Sequence, residues 1–207
     1  MTNCASGRQG AAGAGILTIN FSISQTGKID TKNNGYYAVL FNSSNEAIEV
    51  TNHETFSDYI RFDGVNFTWY HRQGNVPSPG YTWVNAGNMN QDGIITSDGN
   101  SLLIRIDTTD PTCLFNQFIT TNSFTVHAVT TDRSNSLLGR IIDTIGQGPS
   151  IDGNALYTIF FSLTGGVLEP LPSGYPSDPI GDYDEKPDLT SFPYDNFDID
   201  SFSINIE

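Results

Sequence analysis

The stretch NMNQDGIITSDG, residues 88 to 99, spaces side-chain oxygens much as a calcium ion requires. A twelve-residue loop of the EF-hand type takes side-chain oxygens at positions 1, 3 and 5, Gly at 6, a backbone carbonyl at 7 and a bidentate Glu at 12. Asn88, Asn90, Asp92 and Gly93 meet the first half, with Ile95 at the apolar eighth position. Position 12 is Gly99, and the nearest carboxylate, Asp98, stands at 11. Losing the bidentate ligand removes two of about seven oxygens. Two readings follow: a loose calcium site of Asn88, Asn90, Asp92 and Asp98, or an Asp-Gly turn between strands. A second calcium candidate is DPIGDYDEKPD, 178 to 188, where Asp178, Asp182, Asp184, Glu185 and Asp188 crowd together. Carboxylates held that close repel unless a cation neutralises them; the competing reading is a hydrated acidic loop.

Carbohydrate recognition needs flat aromatic rings with polar neighbours. Trp69 with Tyr70, and Tyr81 with Trp83, lie on two strand-like segments separated by QGNVPSPG, with His71 and Arg72 alongside. A hairpin of 66–72 and 81–84 would gather these rings into one patch able to stack on a pyranose. Trp69 shares its face with Phe67, so enclosure in a core competes with that reading.

Other chemistry is poorly supplied. His53, His71 and His127 have no local metal-ligand spacing, and neither His71 nor Met89 belongs to a matched haem pair. There is no GxSxG, no Gly-rich phosphate loop and no CxxC. A glycoside-active enzyme would need two acids across a groove, a distance that no sequence supplies. The expectation is a non-catalytic protein, with calcium as the cofactor admitted and neither haem nor nucleotide.

The elements that must position these residues are strands. ILTINFSIS alternates from Ile16, placing Leu17, Ile19 and Phe21 on one face. YYAVLFN (36–42) reads as a central strand, followed by AIEV (47–50), YIRFDG (59–64), NFTWYHR (66–72) and YTWV (81–84). SLLIRIDTT, NSFTVHAVTT, ALYTIFFSLT and FDIDSFSINIE complete the set, while LLGRIIDTI (137–145) fits a short helix or an irregular strand. Nine or ten strands without recurrent helices predict an all-β fold. The expected architecture is a two-sheet antiparallel sandwich, immunoglobulin-like or jelly-roll-like, with a closed barrel second.

Organisation along the chain follows composition. Residues 1–15 read as a flexible Gly/Ala-rich leader, 16–168 as the sandwich core, 169–196 as an acidic Pro/Asp-rich covering loop and 197–207 as a C-terminal strand of the same domain. Residues 169–207 hold ten acids and one base, so -9 of the chain's -14 lies there. This acidity argues against nucleic acid, whose phosphates are met by cations, and no apolar run reaches the roughly 18 residues of a membrane span. The composition, rich in uncharged Asn, Ser, Thr, Gly and Tyr, suits a secreted protein. Cys4, followed by a small-residue tether, resembles the lipidated cysteine of a mature bacterial lipoprotein. Cys4 and Cys113, 109 positions apart, could instead form a long-range disulfide. Asn20, Asn42 and Asn66 stand in N-x-Ser/Thr sequons.

The segments NNGYYAVLFNSS, YIRFDGVNFTWYHR, SLLIRIDTTD and FTVHAVTTD, over roughly residues 16 to 168, resemble the DOMON-type secreted and lipid-anchored bacterial β-sandwich domains. The resemblance implies sugar or haem binding, or an accessory module at the cell surface. The turn after Phe41 lacks the Asp-rich run of more recognisable members, so no ligand residue is carried over. Two functions are expected from these readings. One is a cell-surface module binding glycan through Trp69, Tyr70, Tyr81 and Trp83. The other is a subunit of an extracellular fibre or surface layer, assembling with its own copies through strands and termini.

Overall fold

The computed structural model describes residues 16–22, 27–43, 48–107, 112–118, 123–135, 138–145, 159–164, 167–170 and 191–206 of the chain. Twelve strands form among them: β1 (Ile16–Ser22), β2 (Gly35–Asn42), β3 (Asp58–Phe62), β4 (Phe67–Gly74), β5 (Tyr81–Asn88), β6 (Gly93–Ile95), β7 (Ser101–Asp107), β8 (Ser123–Asp132), β9 (Ile141–Thr144), β10 (Ile159–Thr164), β11 (Val167–Pro170) and β12 (Ser201–Ile206). One short helix, α1 (Leu114–Phe118), and a 3-10 turn at Tyr194–Asn196 interrupt them. The fold is all-β, as the alternation predicts.

The strands make two antiparallel sheets. The smaller has the order β12-β1-β7-β6; the larger runs β11-β10-β8-β2-β3-β4-β5, with β9 also on β8. The chain's first and last strands pair in register from Leu17 opposite Ile206 to Ser22 opposite Ser201. β2 to β5 are consecutive neighbours in the larger sheet, a meander in which β3 and β4 are joined by a tight turn. At the β3–β4 turn, Asp63 Oδ1 accepts the N–H groups of Val65 and Asn66 at 3.0 and 2.7 Å, and Gly64 takes φ +92. A residue with a Cβ would be strained there.

Both sheets contribute to one apolar cluster. Leu102, Ile104 and Ile106 of β7 and Phe202 of β12 meet Val39, Phe41, Ile60, Trp69, Phe124 and Val126 of the larger sheet. The C-terminal approach is tied in as well: Phe197 and Ile199 are buried, and Tyr37 donates its hydroxyl to the Asn196 carbonyl at 2.6 Å. A second cluster lies on the opposite face of the larger sheet, around Leu40, Ile48, Val50, Phe56, Tyr59 and Val129.

Three local readings change. Residues 48–50 are not strand; Ile48 and Val50 are buried because the 48–56 segment crosses over the larger sheet as a cover. Within the 137–145 segment, Gly139 turns at φ +89 and Ile141–Thr144 is strand β9, paired with β8. Helix α1 went unread because five residues are too few to show a helical period. It nevertheless seats Phe115 in the core beside Phe41, Trp69 and Phe124.

Candidate functional site

β4 and β5 carry the predicted aromatic patch, and the pleat divides it. Phe67, Trp69 and His71 point to the shared core; Thr68, Tyr70 and Arg72 point the other way, because side chains alternate along a strand. Trp69 is therefore taken out of the glycan patch. Its indole is fully enclosed, stacked on Phe41 at 5.5 Å, and its Nε1–H donates to Asp58 Oδ1 at 2.9 Å. Asp58, itself fully buried, also meets His71 Nδ1 at 2.8 Å and accepts the Ser57 hydroxyl at 2.7 Å. Three polar partners offset the cost of burying that carboxylate. His71 is 28% exposed, and its ring lies on Phe118 at 4.0 Å. A neutral imidazole donating Nδ1–H to Asp58 presents Nε2 as an acceptor.

The outer face holds the other three rings. Trp83 sits opposite Arg72 and Tyr81 opposite Gly74; a bulge between Trp69 and Tyr70 then sets Tyr70 against Asn85. Tyr70, Tyr81 and Trp83 are each partly exposed. Trp83 is backed by Phe56 at 5.3 Å and Tyr59 at 4.9 Å, and Tyr70 stacks on Tyr59 at 4.7 Å. Such backing fixes the tilt of Trp83 and Tyr70. Beside Tyr70 opens a groove of about 530 Å³. Its remaining walls include Asp63, Asn66, Thr68, Asn85 and Asn88. Amide and carboxylate groups around a ring can fix the orientation of a polyhydroxylated ligand while the ring takes its apolar face.

Arginines accompany the rings. Arg61 lies over Tyr36 at 4.2 Å and Tyr70 at 4.7 Å, and donates to the Tyr70 hydroxyl at 2.6 Å. Desolvation pushes the Tyr59 phenol well above its ordinary range, despite the charge of Arg61. Tyr36, Phe56, Tyr59 and Arg61 escaped the sequence reading of this site. The period-two pattern of β2 and β3 could have placed Tyr36, Tyr59 and Arg61 on one face; Phe56 arrives from a loop and had no such signal.

The candidate calcium loop is split by β6. Asn88 and Asn90 lie before that strand and Asp98 beyond it, and the side chains serve local turns. Asn88 Oδ1 accepts the Asn90 N–H at 2.8 Å, while Asn90 bonds the Phe67 N–H at 2.6 Å and the Asn66 amide at 2.8 Å. Asp98 accepts the Thr96 hydroxyl at 2.6 Å and the Asn100 N–H at 3.1 Å, which lowers its pKa, the Thr96 contact most. Asp92 is buried. Gly93 is required by packing: a Cβ there would come within 2.5 Å of the Phe67 ring. Among the described residues no group of three His, Cys, Asp or Glu side chains is placed to hold a metal. Asp178, Asp182, Asp184 and Asp188 lie outside the described residues, as does Cys4. Cys113 is buried and disulfide-bonded. No described helix is long and apolar enough to cross a membrane.

No family model, no characterised protein and no solved structure matches the chain. The DOMON-type likeness therefore rests on strand patterns alone.

Proposed function

We propose that this chain is a secreted or cell-surface β-sandwich module, without catalytic function, that binds carbohydrate on the outer face of its larger sheet. The sandwich reading is supported by the apolar cluster to which both sheets contribute. Binding is carried by one observation: Tyr70, Tyr81 and Trp83 stay partly exposed on a single sheet face, beside a groove walled by Asp63, Asn66, Thr68, Asn85 and Asn88. Aromatic faces supply stacking area, and the planar polar groups supply hydroxyl recognition. Export is supported by the disulfide at Cys113, a bond that persists in oxidising compartments.

Affinity electrophoresis of the native chain in gels containing soluble polysaccharides tests the reading. At least one polymer retards the protein, and Trp83→Ala reduces the retardation about tenfold or more, while Trp69→Phe leaves binding intact in the folded fraction. Equal retardation of parent and Trp83→Ala would remove the proposed surface. A second reading, self-assembly, is favoured by β5: it ends the larger sheet and carries no charged residue to discourage strand addition. Light scattering at high concentration separates the two, since assembly through β5 is blocked by Thr82→Lys and glycan binding is not.

A further inference from the structure

We propose that the ligand of this face is a carboxylate-bearing glycan, a uronate chain, held by Arg72 and Arg133 at the two ends of a continuous path of stacked rings and guanidinium groups. The inference rests on the carbohydrate reading above and names its ligand class.

The path can be followed residue by residue. Arg133 lies over the Tyr36 ring at 4.5 Å, Arg61 over the same ring at 4.2 Å and over Tyr70 at 4.7 Å. Tyr70 stacks on Tyr59, Tyr59 meets Trp83 and Trp83 meets Tyr81, at 4.7, 4.9 and 6.4 Å. Arg72 closes the path over Tyr81 at 5.6 Å. Arg133 stands one residue past β8 and Arg72 on β4; Tyr36, Tyr59 and Arg61 are buried along the way, while Tyr70, Trp83 and Tyr81 are partly exposed. The two ends of the path stand three strand spacings apart across the sheet, from β8 through β2 and β3 to β4, roughly 14 Å, the reach of a short oligosaccharide.

Charge decides the ligand class. The chain holds 9 Lys and Arg against 23 Asp and Glu, so carboxylates are abundant as partners for any arginine. Arg140 takes one, Asp132, at 3.2 Å. Arg72 and Arg133 form no ion pair among the described residues; they give Nη1 to backbone carbonyls, of Glu54 at 2.6 Å and Asn33 at 3.2 Å. Arg133 Nε is buried without a hydrogen-bond partner. A guanidinium has five N–H donors in a fork that matches a carboxylate, so both ends of the path retain donors for an anion. Arg61 and Arg133 also share one ring, each within 4.5 Å of its centroid. Most of the chain's negative charge lies in residues 169–207, not in the strands that carry this face. A uronate joins both requirements: its pyranose ring stacks on tyrosine or tryptophan while its carboxylate meets a guanidinium fork.

The test uses the full chain in native gels containing polygalacturonate, the same polymer methyl-esterified, or sulfated dextran. The free acid is expected to bind at least about tenfold tighter than the ester. Arg72→Met and Arg133→Met, which keep the apolar stem, each reduce free-acid affinity about fivefold or more and leave ester retention unchanged. Equal retention of acid and ester, abolished by Trp83→Ala, overturns the uronate assignment and leaves the neutral-glycan reading standing. Tighter retention by sulfated dextran than by the free acid also overturns it. Failure of all three polymers, with neutral glycans failing as well, overturns both.

Discussion

His127 is buried on β8, and neither of its ring nitrogens has a hydrogen-bond partner among the described residues. Burial pushes its pKa down from 6.5 to about 4. Between those values the unfolded chain takes up a proton that the folded chain refuses. Stability therefore falls as pH is lowered through the window from about 6.5 to about 4, by about 3 kcal/mol in all. His127→Leu removes the titrating group and fits a strand interior, so its urea midpoint should lose that part of the slope between pH 7 and 4. Parallel profiles for parent and variant would refute the assignment. Asp132 acts in a lower window. Burial alone would raise its pKa, but the N–H groups of Arg140 and Ser134, at 2.7 and 2.8 Å, outweigh it and hold the carboxyl below its ordinary range. That contribution is present above the ordinary carboxylate pKa and lost only as pH falls under about 4, so the two effects separate on one titration.

At the scale of elements, the β5–β6–β7 region shows how a calcium-like spacing becomes a hairpin. Asn88 and Asn90 oxygens accept backbone N–H groups at its turns, and Gly93 packs flat under Phe67. Gly93→Ala should destabilise the chain by about 1–3 kcal/mol, because the new Cβ overpacks an aromatic ring that is itself buried. Chemical denaturation measures this directly, and an unchanged midpoint would show that the ring has room to move. The N–H groups of Asn90, Phe67 and Asn100 each meet a side-chain oxygen of this region. The same element scale accounts for the outer ring cluster. Trp83 is fixed by Phe56 from the covering segment and by Tyr59 from β3, two separate stretches of chain.

For the whole molecule, the disulfide at Cys113 needs a second sulfur, and the chain has two cysteines in all. Thiol titration of the denatured, unreduced protein should find no free thiol, and two after reduction. A lipid-bearing N-terminus, or one free thiol before reduction, would show that Cys4 is not the partner. Much of the architecture was legible from local periodicity. Residues 36–42, 101–107 and 123–131 lie in strands because alternation needs only neighbouring residues, and the strands β1 and β12, both alternating, pair with each other. The aromatic cluster around Trp69 to Trp83 was legible as a set and not as a surface. By itself, the sequence determined that the chain would be all-β, turn-rich and acidic toward its C-terminus, since those properties depend on residue type and short-range spacing. Only the tertiary structure decided that Trp69 is enclosed while Trp83 is partly open, that 48–56 covers the larger sheet, and that Arg133, Tyr36 and Arg61 meet. The physical reason is that these outcomes depend on which distant segment reaches each sheet face first, and period-two alternation carries no information about that.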